Sequence, residues 1–285
     1  MSSALKSRRE ELRMTQRALA ELLGVSQQTV ARWESNDQIP TKHLRDAAVK
    51  LGMSVSDFII DQSAPRTATA MPFPEPPYGT LELSIGGQIK HYPTGWSQVN
   101  EVFRNLSSSF TPLERWVQLR TLDQRVLYIN VQAIDGLRWI DDAQEEMPSF
   151  EHEEIYKAAK EIVMRGVPED EEVSAESYPY STDIVSSVRS LIDQSGEIET
   201  YRWLTAASYL SCTGEAGVAN LTIDLICTLD ELLVGSLEAG KFVDLTSDDE
   251  SLKLIPARRL ALVELPYLEM EEHLQHLLEE NESTE

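Results

Sequence analysis

The side chains best suited to recognition chemistry are Gln27, Gln28, Thr29 and Arg32. All four can hydrogen-bond and none is acidic. In the run QQTVAR they share the outward face of a helix, while Val30 and Trp33, three apart, point inward. Glutamine can pair through two bonds with adenine, and arginine with guanine, along the major-groove edge of a base pair. A helix face with no such role more often carries Glu and Lys.

Other chemistry is sparse. His152-Glu153-Glu154 does not continue as HExxH, because Tyr156 stands where the second histidine would be. No glycine-rich loop has phosphate-binding spacing. His43, His91, His152, His273 and His276 form no ligand pattern; His273 and His276 share a helix face but have no third partner. The late lysines Lys241 and Lys253 follow no serine in the setting of a self-cleaving repressor. Cys212 and Cys227 fit no zinc or redox spacing and read as reduced thiols. The expectation is a chain that is not an enzyme, with no metal and no cofactor.

The elements that position the four residues are legible. Thr15 can cap a helix over 16–23, and Gly24 follows where a left-handed residue is expected. Val25 plugs the turn, and Ser26 can cap the next helix, 27–35. Thr41 can cap another over 42–51. Apolar residues from Leu5 to Ile59 recur at threes and fours, so 1–62 reads as a run of short helices around one core. Two short helices joined by a glycine turn suit a helix-turn-helix.

On these residues the chain resembles the phage repressor/Cro and XRE-type regulator family. The stretch TQRALAELLGVSQQTVARWESN (15–36) carries the likeness, and 1–62 fits the five-helix domain. The departure is Asn36-Asp37, where the family often has glycine. The resemblance implies base contacts from Gln27, Gln28 and Arg32, with Thr29 beside them on the outward face. It implies a phosphate contact from Gln16, which would also brace Gln27. Thr15, Arg17, Asn36, Gln38 and Lys42 would be further backbone contacts. Double-stranded DNA is the implied partner.

Charge sets a condition on that reading. The chain of 285 residues carries a net −23, yet 1–62 carries nine Lys/Arg and eight Asp/Glu, and 63–285 carries 16 and 40. A head of +1 neutralises few phosphates. Useful affinity therefore calls for two heads, and the remainder is expected to form a homodimer or higher oligomer. Residues 63–78, with five prolines, read as a tether that keeps the acidic body from the phosphates.

From residue 79 the pattern changes to period two. Strands are expected at 80–85, 88–92, 115–122, 125–131 and 134–140, with a helix at 96–106. Residues 116–140 align without a gap on 242–266, with apolar positions coinciding. Two explanations stand: an internal duplication, or the general likeness of any two three-stranded meanders. Such units are weakly similar to SH3-like or Sm-like small barrels. The expected fold is α+β and multidomain: a helix-turn-helix head (1–62), a linker (63–78), a first β unit (79–142), an acidic helical insert (143–198), a second β unit (199–267) and an acidic C-terminal helix and tail (268–285). The acidic loop 166–181 reads as solvation, with mimicry of DNA or inhibition of the head as the lesser alternative.

No stretch is apolar enough to span a membrane, and the N-terminus lacks the apolar core of a signal peptide, so a cytoplasmic protein is expected. The functional expectation is a sequence-specific transcriptional regulator, such as a repressor. It binds a palindromic operator as a dimer through the helix-turn-helix, with an acidic dimerisation and effector domain. The alternative is an antitoxin-like or assembly factor whose acidic region binds a basic protein partner and whose DNA binding is autoregulatory.

Overall fold

A computed structural model describes residues 4–36, 39–58, 73–107, 116–141, 151–165, 180–235, 241–247 and 253–282. The helices are α1 (Ala4–Glu11), α2 (Gln16–Leu23), α3 (Gln27–Asn36), α4 (Thr41–Leu51), α5 (Val55–Phe58), α6 (Trp96–Ser107), α7 (Glu153–Arg165), α8 (Thr182–Ser195), α9 (Glu197–Thr205), α10 (Ile223–Leu233) and α11 (Tyr267–Glu282). The strands are β1 (Tyr78–Ile85), β2 (Gln88–Gly95), β3 (Trp116–Arg120), β4 (Arg125–Asn130), β5 (Gly136–Asp141), β6 (Ala207–Ser211), β7 (Ala216–Ala219), β8 (Phe242–Asp244), β9 (Leu254–Pro256) and β10 (Leu260–Pro266). The chain is α+β, with a helical N-terminal region and sheets beyond it.

Two compact units emerge, and neither is continuous in sequence. The first joins Met1–Ala68 to His152–Glu197, and the second joins Thr69–Glu151 to Ile198–Glu285. This differs from the expected division, in which the helical insert belonged with the acidic remainder.

In the first unit local signals act where the sequence puts them. The Thr15 hydroxyl accepts from the Ala18 N–H at 3.1 Å, and Ser26 Oγ accepts from the Thr29 N–H at 3.1 Å. Gly24 takes φ 65°, which lets the chain leave α2 and enter the turn without a Cβ penalty. Thr41 is already inside α4, whose cap position is held by Pro40 with no side-chain bond. The core of the short helices is Leu5, Leu19, Ala20, Leu23, Val30, Trp33, Ala47 and Leu51. Helix α7 packs on both α4 and α8. It buries Ile155, Tyr156, Ala158, Ala159, Ile162 and Val163, and α8 buries Ile184, Val188 and Ile192. A fully buried Ile or Val contributes about 1.5–3 kcal/mol of transfer free energy, so the added helices carry a substantial core.

In the second unit the central sheet has the order β3-β4-β10-β6-β7, beside a three-stranded sheet β2-β1-β5 and the hairpin β8-β9. Alternation along β4 explains the layering. Val126 and Tyr128 enter one core with α10 and α11, while Leu127 and Ile129 enter another with β1 and α6. Strand β10 is likewise buried along its whole length. Strands that are apolar on both faces need cover on both.

The expected meanders are replaced by a different connection. β5 leaves the β3-β4 hairpin to pair antiparallel with β1, and β10 leaves β8-β9 to pair antiparallel with β6 and β4. In each half the order is therefore hairpin, helix, hairpin and a strand returning to the first. The β4–β10 ladder places strands of both halves in one sheet, so the halves are not two separate small barrels.

Candidate nucleic-acid interface

Helix α3 is fixed from behind. Val30 and Trp33 are buried, at 0% and 1% exposure, while Gln27, Gln28 and Arg32 are exposed and Thr29 is half-buried. The Thr29 hydroxyl bonds Ser26 Oγ at 2.8 Å, so it serves the start of the helix as well as the outward face. Its neighbours Gln27, Gln28 and Arg32 leave three long polar side chains on one accessible surface.

A buried charge cluster ties this helix to α1 and α2. Arg9 donates from Nε to Glu34 Oε1 at 2.6 Å and from Nη2 to Oε2 at 3.2 Å, and its Nη1 reaches the Met14 carbonyl at 2.8 Å. Gln16 Nε2 donates to Glu34 Oε2 at 2.9 Å. Burial alone would raise the Glu34 carboxyl, but the bonds from Arg9 and Gln16 outweigh it and hold the group below the usual carboxylate range. Donation to the Glu34 carboxylate raises the Arg9 guanidinium.

This arrangement engages the Gln16 amide with Glu34. It also divides the basic cluster near the N-terminus: Arg9 is spent on Glu34, and Arg8 bonds the Leu51 carbonyl at 3.0 Å and Glu11 at 3.1 Å. Arg17 and Thr15 are exposed, with Arg17 in an open i,i+4 pair with Glu21 at 3.0 Å that solvent easily loosens. Asn36 ends α3 and Lys42 lies in the first turn of α4, but their side chains, and Gln38, lie outside the described residues.

Residues 5–58 match the family model described as Helix-turn-helix. The segment is an XRE-type helix-turn-helix. A domain of this kind points to a DNA-binding regulator. No curated protein matches the chain. A solved structure described as "Crystal Structure of Apo-HppE" matches at 20% identity over 33% of this chain and 84% of that one, with a TM-score of 0.19, too low to carry an argument. Among the described residues no helix is long and apolar enough to cross a membrane, and no group of three or more His, Cys, Asp or Glu could hold a metal.

The second unit has its own polar concentration, at the β3-β4 turn. Arg125 donates to the carbonyls of Trp203 and Glu264, and Arg120 lies over the Tyr267 ring at 3.5 Å. Burial beside them raises the Asp123 carboxyl to about 6, against the bond from Thr121 and the charge of Arg125. These bonds join residues of both halves, including Lys90 to Glu264 at 3.3 Å, and their chemistry is that of a structural network.

Proposed function

We propose that this chain is a transcriptional regulator that lays α3 in the major groove and reads a palindromic operator as a dimer. Gln27, Gln28, Thr29 and Arg32 contact base edges. Thr15, Gln16, Arg17, Asn36, Gln38 and Lys42 contact the backbone, and Gln16 can do so with its second N–H while the first holds Glu34. The observation that carries this reading is the exposed row Gln27, Gln28 and Arg32 on a helix anchored by Trp33 and Glu34, inside an XRE-type segment.

Dimerisation follows from energy. With Arg9 internally paired, one head offers few cations to phosphate, and two heads on half-sites about one helical turn apart add their contacts. The second unit would hold the pair and receive a signal or partner, with its two similarly connected halves read as a duplication. Its residues carry −18 of the chain's −23, which favours a basic protein if a partner binds there. A stoichiometric basic partner co-purifying from the native host would support that second reading.

The test is gel-shift competition between operator and unrelated duplex. Gln28→Ala or Arg32→Ala should each cost about 1–3 kcal/mol of discrimination while leaving non-specific binding in place. Unchanged discrimination contradicts the base-reading assignment.

A further inference from the structure

Helix α4 bears two cations that meet carboxylates far away in sequence. Arg45 Nε lies 3.5 Å from Glu154 Oε2, with its guanidinium 4.6 Å from the centre of the Tyr180 ring. Lys50 Nζ lies 2.8 Å from Asp183 Oδ2. Glu154 belongs to the first turn of α7 and Asp183 to the first turn of α8. The start of α7 is fastened as well. Ser54 Oγ donates to Glu153 Oε1 at 2.9 Å, and His152 Nε2 meets the Met53 carbonyl at 2.9 Å. Since His152 Nδ1 accepts the Glu154 N–H at 3.2 Å, the ring is neutral and Nε2 is the donor.

A carboxylate and a phosphate oxygen offer a Lys or Arg the same thing, an anionic acceptor for charge-assisted bonds. We propose that Arg45 and Lys50 are a second phosphate-binding strip of the head, occupied in this structure by Glu154 and Asp183 as internal stand-ins for the DNA backbone. The inference rests on the DNA-binding reading above. Asp183 is 71% exposed on its side chain, and an ion pair so open to solvent is weak, so a phosphate can displace it at small cost. The Arg45 pair is more enclosed, with Glu154 also held by Lys157 at 2.9 Å, and opens with more difficulty.

Charge gives the strip its consequence. Residues 1–68 hold ten Lys/Arg and eight Asp/Glu, and 152–197 hold four and eleven, so the unit containing the reading helix carries −5. The α7–α8 pair thus lowers the sequence-independent part of DNA affinity, and freeing the strip restores it.

The experiment measures binding of the full chain to a duplex of unrelated sequence by fluorescence anisotropy, at salt from about 50 to 200 mM. Each freed cation that reaches a phosphate should steepen the plot of log K against log salt by about 0.9. Asp183→Asn and Glu154→Gln should each bind several-fold tighter at low salt, with a steeper slope. Asp193→Asn is the control: it is on α8, exposed, removes the same charge and pairs with no cation among the described residues. It should leave the slope unchanged. Parental slopes in both Asp183→Asn and Glu154→Gln, or an equal change in Asp193→Asn, overturn the strip. A parent chain that binds no duplex at any salt overturns the DNA-binding reading itself, and the strip with it.

Discussion

Glu34 shows how one residue can fix an exposed polar helix face without lying on it. Its carboxylate takes bonds from Arg9 on α1 and Gln16 on α2, while its own helix presents Gln28 and Arg32 outward. Glu34→Gln takes from the enclosed Arg9 its buried carboxylate, leaving it the Met14 carbonyl and the exposed Glu10 at 3.6 Å, a loss of about 3 kcal/mol measured by thermal or denaturant unfolding. The wild-type pair also sets a pH dependence. Because the folded carboxyl titrates below its unfolded value, its contribution is full above about 4.5 and is lost as pH falls through the folded value. Stability in Glu34→Gln should therefore fall less steeply over that acid range than in the parent. Thr15, Gly24 and Ser26 were legible because each acts within a few residues. The Arg9–Glu34 pair was not, because the partners are 25 residues apart and no local pattern names a partner.

At the level of elements, sequence periodicity marks faces and leaves pairing open. The strands expected in the second unit form close to their predicted bounds, yet β5 and β10 pair with β1 and β6 rather than completing meanders. Alternation shows that β4 and β10 must be covered on both faces, but not which edge accepts which neighbour. The corresponding turns of the two first hairpins meet at Gly86 and Gly214, joined by a bond from Gln88 Nε2 to the Gly214 carbonyl at 2.7 Å. Gly86 sits at φ 54°, and a Cβ there would lie 2.4 Å from the Gly214 backbone nitrogen. Strain and collision act together, with no flexible side chain to yield. Gly86→Ala should destabilise by about 1–3 kcal/mol in denaturant unfolding. Stability equal to the parent would show that the two turns separate freely.

For the whole molecule, the main departure from the sequence reading is where acidity resides. A proline-rich segment was expected to hold all of it away from DNA, but α7 and α8 fold onto α4, more than 100 residues away in the chain. Their apolar faces were visible at helical spacing, whereas the surface they cover was not, because amphipathicity calls for a partner without specifying one. The head is thus a larger and more acidic body than 1–62 alone, and its net charge favours selective over indiscriminate binding.

The central claim, that α3 reads a twofold operator, is tested most directly by selecting duplexes from a random pool with the full chain. The predicted result is an inverted repeat whose half-sites are centred about 10 base pairs apart, or a multiple of that, and whose enrichment weakens in Arg32→Ala. A pool that yields no shared half-site, or the same enrichment from Arg32→Ala, would contradict it.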